Sequence, residues 1–335
     1  MTKLKWICAA WILAVSLTTQ SYADDEALYN KLQEISVTVK SGFSEGSGTI
    51  ITRDVRTGPD KVEKINFVWT AAHVVSDLRS VRTVIVNGSP KKIIEFGDAK
   101  IVKELVENGR RVGEWKMEAI VLKYSDSEDG EDLALLMVRK RNFIQSNAIF
   151  YEGDDPVSIG TELYHIGSLL GQIGSNSMTR GIISQVGRVL DLGNSGGVVF
   201  DQTTVTAFPG SSGGGVFLSE RSGDNAGQYV GMLVRGAGET FNFIVPVRRM
   251  RSWAAKEKIM WAIDTKADVP TLKEIMSLSR EGNDILNETD ARSFTRHSIL
   301  FPTLPTVTVE TKAELRSLSS PSQSGQPASA NIQKR

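Results

Sequence analysis

Three side chains in this 335-residue chain, His73, Asp132 and Ser212, are of the types that activate a hydroxyl for attack on a carbonyl. A serine hydroxyl is a weak nucleophile at neutral pH unless a base removes its proton, and the base needs a carboxylate to orient it and to stabilise its charged form. The chain order His, Asp, Ser occurs in one class of triad hydrolase, whereas other classes order the same groups differently. The pattern therefore predicts acyl-transfer chemistry with His73 as base, Asp132 as its acid partner and Ser212 as nucleophile.

The assignment of the base rests on a comparison of the chain's three histidines. His297 lies in the polar C-terminal region, and His165 lies downstream of every acidic residue that would pair with it in this order. His73 is left as the base.

Two glycine-flanked serines, Ser195 and Ser212, compete for the role of nucleophile. Apolar runs at Gly215–Leu218, Tyr229–Val234 and Phe241–Pro246 follow Ser212, and they predict a hairpin and a closing strand that form a wall for substrate. Ser195 instead follows a predicted strand after only a short connection. Strand context favours Ser212, and Ser195 stays open as the alternative.

Several short motifs, in this order, resemble those of trypsin-like (chymotrypsin-fold) serine peptidases, nearest to the HtrA/Deg branch but without its PDZ domain. The resemblance covers about residues 34–262, and it implies an all-β fold of two six-stranded antiparallel β-barrels with a C-terminal helix and a disordered tail. The matching segments are Gly46–Ile51, Thr70–Val75, Asp132–Leu136, Ile166–Gly167, Gly181–Ser184, Thr206–Gly214 and Val230–Met232.

The resemblance also implies an oxyanion hole formed by the backbone N–H groups of Gly210 and Ser212. Two such donors stabilise the negative charge that develops on the attacked carbonyl oxygen. Ser211 departs from the family pattern, which usually has Asn or Asp there, and a serine cannot pair with a newly cleaved N-terminus. Activation of the trypsin kind is therefore not expected, and the geometry of the Ser211 turn decides between an enzyme and its main alternative, an inactive binding module with the same fold.

Substrate preference is inferred from the position six residues before the nucleophile, which lies at the base of the primary pocket in this fold. That residue is Thr206, and its neutral side chain disfavours cleavage after Lys or Arg. Together with an apolar wall it favours small or medium aliphatic residues. Arg235, just beyond the wall, is interpreted as a solvated arginine at the start of a loop, with a preference for an acidic substrate side chain as the alternative. The residues of the wall are Met232, Leu233 and Val234.

The N-terminus is typical of an export signal. A basic start precedes an apolar stretch that is shorter than the about 20 residues of a spanning helix, and small residues at Ser21–Ala23 fit a cleavage site. Cys8 is the only cysteine and lies within this segment, so no disulfide is expected in the mature protein. The predicted organisation is a signal peptide at 1–23, a protease domain at 24–262, a short helical extension at 263–300 and a disordered tail at 301–335.

Within the protease domain, barrel 1 is predicted over about 34–138, barrel 2 over about 157–246 and a packed basic helix over 247–262. Apolar runs between turn signals predict the strands of barrel 1. These strands are Ile35–Val39, Gly48–Thr52, Phe67–Thr70, Thr83–Val86, Lys92–Phe96, Met117–Lys123 and Leu133–Val138.

The composition excludes other classes of function. The formal net charge is zero, so nucleic-acid binding through bulk charge is not indicated. The acidic run Asp126–Asp132 matches no calcium loop and is interpreted mostly as a solvated loop. We expect no metal or cofactor, protein or peptide substrates, and no stable membrane span in the mature form. The sequence therefore predicts an exported serine endopeptidase, with a binding-only relative of the same fold as the alternative.

Overall fold

The computed structural model describes residues 25–86, 88–107, 110–128, 130–153, 155–191, 197–236 and 240–281. The predicted signal peptide, the tail and the second half of the 263–300 extension lie outside these ranges, as do Ser195 and His297. The strands are β1 Ser36–Ser41, β2 Ser44–Gly58, β3 Lys61–Thr70, β4 Arg79–Val86, β5 Ser89–Phe96, β6 Ala99–Glu107, β7 Arg110–Ser125, β8 Leu133–Val138, β9 Glu162–Leu169, β10 Gly174–Asp191, β11 Gly197–Thr203, β12 Gly215–Leu218, β13 Tyr229–Gly236 and β14 Asn242–Pro246.

The helices are short and flank the strands. They are α1 at residues 25–34, α2 Ala72–Val75, α3 Val247–Lys256 and α4 Leu272–Glu281, with 3-10 turns at Ser76–Leu78, Gly171–Ile173, Glu220–Asn225 and Met260–Ala262.

Twelve of the strands form two closed antiparallel barrels, in the orders β1-β2-β3-β8-β7-β6 and β10-β11-β14-β13-β12-β9. The predicted fold class is confirmed. Closing a sheet on itself gives every strand a neighbour on both sides, and the inward side chains fill the interior. Strand β8 is buried along its whole length because one of its faces lines the barrel and the other packs against the rest of the protein.

The strand prediction for barrel 1 is wrong in one place. Thr83–Val86 and Lys92–Phe96 lie in β4 and β5, which form a separate two-stranded sheet, and β6 closes the barrel instead by pairing with β1 and β7. The β6 sequence, Ala-Lys-Ile-Val-Lys-Glu-Leu-Val-Glu, mixes apolar and charged residues without clean alternation. Its place in the barrel depends on pairing with a strand about 60 residues earlier, which local pattern does not reveal.

The end of the described chain returns to barrel 1. Helix α3 buries an apolar face, and the 3-10 turn that follows docks on β2 and β3: Arg53 Nε donates to the Trp261 carbonyl at 2.6 Å, and Trp69 Nε1 to the Ala262 carbonyl at 3.0 Å. Phe67 stacks edge-on against Trp261 with ring centroids 4.7 Å apart. The apolar residues of α3 therefore pack on protein, and no helix within the described ranges combines the length and apolarity needed to cross a membrane.

Helix α4 begins at a capping box. The Thr271 backbone N–H donates to Glu274 at 2.8 Å, and the Glu274 N–H donates back to the Thr271 hydroxyl at 3.4 Å. This reciprocal pair satisfies donors that the first turn of a helix leaves free. Within the helical extension predicted at 263–300, the structure has this helix at Leu272–Glu281.

Candidate active site

Strand pairing brings His73 and Asp132 to the same end of barrel 1. Strands β3 and β8 pair antiparallel, with Thr70 opposite Ala134. Residues just after β3 and just before β8 therefore emerge side by side. His73 Nδ1 lies 3.0 Å from each carboxylate oxygen of Asp132, and the His73 backbone N–H donates to the same carboxylate at 3.1 Å. A carboxylate so placed fixes the imidazole tautomer with Nε2 facing outward.

The Asp132 carboxyl is only 2% exposed. Burial by itself raises its pKa, but the charge of His73, the hydrogen bonds from His73 and the charge of Arg235 outweigh burial, so the pKa lies below its ordinary value. Asp132 also has φ +55°, a left-handed conformation that costs a non-glycine residue roughly 1–2 kcal/mol. Such strain persists only where neighbouring contacts impose it.

The turn at residues 209–214 carries the predicted nucleophile Ser212 and is called the nucleophile turn below. It abuts the segment that carries His73. The Ser47 backbone N–H donates to the Ser212 carbonyl at 2.7 Å. A Cβ on Gly46 would lie 3.0 Å from that carbonyl and 2.5 Å from a methyl group of Val74, so only glycine fits between Ser212 and the residue after His73. In the described part of the chain the imidazole hydrogen bonds go to Asp132, and none joins it to Ser212 Oγ. Base and nucleophile commonly make that bond only when substrate binds.

Two glycines give this turn its shape. Gly210 has φ +93° and Gly213 has φ +88°, and a Cβ on Gly213 would lie 2.2 Å from the Ser47 carbonyl oxygen. Between them, the buried Ser211 hydroxyl accepts from the Phe208 N–H at 3.0 Å while the Ser211 N–H donates to the Phe208 carbonyl at 2.9 Å. The side chain of Ser211 thus closes the turn from within, together with its backbone N–H.

The backbone carbonyls of Pro209 and Ser211 both accept hydrogen bonds. These bonds determine the direction in which the N–H groups of the turn point. The Leu170 N–H donates to the Pro209 carbonyl at 2.7 Å, and the Gly214 N–H donates to the Ser211 carbonyl at 3.0 Å. A trans peptide places its C=O and N–H on opposite sides, and the described peptides include no cis bond. The N–H groups of Gly210 and Ser212 therefore point away from these contacts, and neither donates to an acceptor in the described residues.

Ser47 is a supporting residue that the sequence analysis missed. Its hydroxyl donates to the Gly210 carbonyl at 2.7 Å and accepts from the Ser168 N–H at 2.7 Å. The hydroxyl therefore ties the nucleophile turn of barrel 2 to β2 of barrel 1. Its place in the glycine-flanked motif Gly46–Gly48 was the only available signal.

Beside the turn, β13 offers an unpaired edge. Its pairing with β12 ends at Met232, while its pairing with β14 continues to Gly236. An extended peptide that adds to a sheet edge forms main-chain hydrogen bonds like those between neighbouring strands. The side chains of Met232, Leu233 and Val234 are buried in the core, so a peptide meets mainly the backbone of this strand. Thr206 is half-buried and follows Val205, whose carbonyl accepts from Asn242 Nδ2 at 2.7 Å.

Two interpretations of charged residues are wrong. Arg235 lies within β13, half-buried, and donates to the Ser127 carbonyl at 2.8 Å, so it is not a solvated loop residue. The described part of the acidic run is not a solvated loop either, because Ser127 is buried and Glu131 pairs with Arg249 at 2.5 Å. Both contacts join residues more than 100 positions apart, which local composition cannot show.

His165 lies beneath the nucleophile turn rather than at its surface. A Cβ on Gly214 would lie 2.5 Å from His165 Nε2, and the ring is fully buried. Neither ring nitrogen has a partner with hydrogen-bonding geometry in the described residues, although the Ser211 carbonyl lies near enough to favour the charged form. Burial dominates and lowers the pKa to about 4. His165 is therefore neutral at physiological pH.

The chain is similar to a known protein family and to several solved structures. The family described as "Trypsin-like peptidase domain" matches residues 46–232, more than half of the chain. The chain is similar to the crystal structure of Deg5 (18% identity, TM-score 0.48, covering 73% of this chain and 98% of that one). It is also similar to the serine endoprotease from Yersinia pestis (19% identity, TM-score 0.43, covering 69% of this chain and 66% of that one). A third similar structure is the Rv3671c protease in its inactive form (19% identity, TM-score 0.45, covering 68% of this chain and 91% of that one). No curated protein matches significantly.

Proposed function

Because the chain belongs to the trypsin-like peptidase family, we propose that it is an exported serine endopeptidase that cleaves protein substrates with Ser212, His73 and Asp132. The observation that carries this proposal is the buried Asp132 carboxylate held 3.0 Å from His73 Nδ1. A buried carboxylate in this position costs stability unless it serves a partner, and here its partner is the imidazole next to the nucleophile turn.

In the proposed reaction, His73 Nε2 takes the proton of Ser212 Oγ as that oxygen bonds to the scissile carbonyl carbon. The carbonyl π electrons move to oxygen, and the N–H groups of Gly210 and Ser212 stabilise that oxyanion. Collapse breaks the C–N bond, and His73 gives its proton to the leaving amine. Water then hydrolyses the acyl-enzyme by the same steps, with His73 again as base.

The substrate is proposed to bind as an extended strand along Val234–Gly236. Thr206 is neutral, so the primary pocket supplies no carboxylate to pair with Lys or Arg. We expect cleavage after small or medium aliphatic residues, as tested by digestion of a peptide library and mass spectrometry of the products. Dominant cleavage after Lys or Arg would rule this preference out.

Export is proposed from the basic and apolar character of residues 1–23, with a mature protease domain from 24 to 262. Cell fractionation and N-terminal sequencing of the mature protein test it. We expect the protein outside the cytoplasm with Asp24 as its first residue, and an intact N-terminus in the cytoplasm would contradict it.

A fluorophosphonate probe tests the catalytic assignment, because it labels only a serine that is activated as a nucleophile. We expect labelling of the unmodified protein and of Ser195→Ala, and none of Ser212→Ala. Labelling that is lost in Ser195→Ala instead would move the nucleophile to that serine. A correctly folded protein that takes no label would make the chain a binding module with a protease fold.

A further inference from the structure

Two arginines from the second half of the chain hold the segment of barrel 1 that ends in Asp132. Arg235, from β13, donates to the Ser127 carbonyl at 2.8 Å. Arg249, from α3, bonds Glu131 twice, through Nε to the carboxylate at 2.5 Å and through a terminal nitrogen to the backbone carbonyl at 2.8 Å. Glu131 is the residue directly before Asp132. We name Arg235 and Arg249 the arginine clamp.

The clamp acts on a backbone that needs external support. Asp132 has φ +55°, and its N–H closes a loop back to the Asp126 carbonyl at 3.1 Å. A relaxed backbone at Asp132 would turn the carboxylate away from His73. Ser127 lies near the start of this loop and Glu131 near its end, so the arginine contacts to both residues oppose that rotation.

Arg249 is itself anchored independently of Glu131. The Arg249 guanidinium lies 4.6 Å from the centroid of Phe200 and also donates to the Val199 carbonyl at 2.9 Å. The buried Nε of Arg235 has no partner in the described residues, so its contact with Ser127 and the nearby charge of Asp132 account for its position. A guanidinium presents a planar fork that a lysine cannot reproduce.

We infer that Arg235 and Arg249 are positioning residues: by gripping Ser127 and Glu131 from barrel 2 and α3, they hold Asp132 of barrel 1 against His73. The inference rests on the proposed function, since it assigns a role within that triad. It makes correct docking of the two barrels a condition for a competent Asp132–His73 pair.

Arg248→Gln is the matched control for Arg249→Gln. Arg248 is the adjacent residue on α3 and also forms an ion pair with two hydrogen bonds, both to Asp201 at 2.6 Å. Asp201 lies in β11 and not in the segment that ends in Asp132. Both variants lose one charge from the same helix and leave one carboxylate without its partner. Only Arg249→Gln releases Glu131.

Steady-state kinetics on a peptide substrate give the first measurement. In Arg249→Gln and Arg235→Gln we expect kcat to fall by about 10- to 100-fold, because a small misplacement of a reacting group has an effect of that size. The KM of Arg249→Gln should change by less than about twofold, since that substitution leaves the substrate edge of β13 unaltered. Arg249→Lys keeps one donor and should be intermediate, whereas Arg248→Gln should retain kcat.

Imidazole ¹⁵N labelling gives a second measurement that does not need turnover. The chain has three histidines, so the low-field proton of His73 Nδ1 bonded to Asp132 is readily assigned with His73→Gln. We expect that resonance in the unmodified protein and in Arg248→Gln, and its loss or broadening in Arg249→Gln. An inactive protein that shows this pattern would refute the proposed function and leave the clamp intact.

Equal kcat and equal resonances in Arg249→Gln and Arg248→Gln would overturn the inference, as would absence of the resonance from the unmodified protein. If Arg249→Gln fails to fold, Arg249→Lys and Arg235→Gln carry the same comparison.

Discussion

Acid should destabilise this protein through His165, and His165→Leu should remove that part of the sensitivity. The folded state holds the ring fully buried and neutral, with its pKa lowered from 6.5 to about 4, whereas the unfolded chain takes up a proton near the ordinary value. Below about pH 6.5 the unfolded state therefore binds more protons than the folded state, and the free energy of unfolding falls with pH. At about 1.4 kcal/mol per pH unit, the loss reaches roughly 3 kcal/mol by about pH 4.

Urea unfolding followed by tryptophan fluorescence at pH 7.5, 6.0, 5.0 and about 4.5 measures this effect. Carboxylates that titrate in this pH range are present in both the unmodified protein and His165→Leu. The difference between the two proteins in how the free energy of unfolding changes with pH therefore isolates the contribution of His165. At pH 7.5 the variant should match or exceed the unmodified protein, because an apolar side chain replaces buried nitrogens that lack partners. Parallel pH dependences in the two proteins would refute the reasoning, since they would show that the ring titrates normally.

Three further substitutions test the site. Asp132→Asn should keep the fold, since Asn tolerates the left-handed conformation, and should lower kcat on the order of 10⁴-fold on a peptide substrate; retained activity would contradict the role of the carboxylate. Gly187→Ala should cost about 1–2 kcal/mol of stability in thermal unfolding, because Gly187 has positive φ. Gly210→Ala should cost more, because Gly210 also has positive φ and a carbonyl oxygen would lie 2.3 Å from its new Cβ. Equal losses would contradict this close approach. Ser211→Ala should cost about 1–2 kcal/mol in urea unfolding and lower kcat, because the Phe208 N–H loses its acceptor; an unchanged midpoint and kcat would show that the hydroxyl does not hold the turn.

The two-barrel class followed from the resemblance of short motifs to trypsin-like peptidases, and the structure confirms it. The sequence also paired His73 with Asp132, whose side chains are in contact, while Ser212 as nucleophile stays a prediction. The sequence was insufficient for β6, whose membership of the barrel depends on its pairing with β1. It also gave the wrong environment for Arg235. A single arginine after an apolar run has the same local pattern whether it is solvated or bonded to a carbonyl 108 residues away. Contacts of that kind are decided by how the barrels dock.

The docking of Trp261 and Ala262 on barrel 1 sets an order on the assembly of the molecule. During synthesis the strands of the first barrel emerge early, but the cover for Phe67 and Trp69 comes from residues almost 200 positions later. A nascent chain that stops at Pro246 thus carries every barrel strand, but it still leaves Phe67, Trp69 Nε1 and Arg53 Nε without the partners that Trp261 and Ala262 supply. Completion of the first barrel is thereby deferred until residues 261 and 262 have been synthesised. A ribosome-arrested chain ending at 246 should be cleaved by added protease much faster than one that extends past 281, and equal resistance would show that the first barrel is complete without its C-terminal cover.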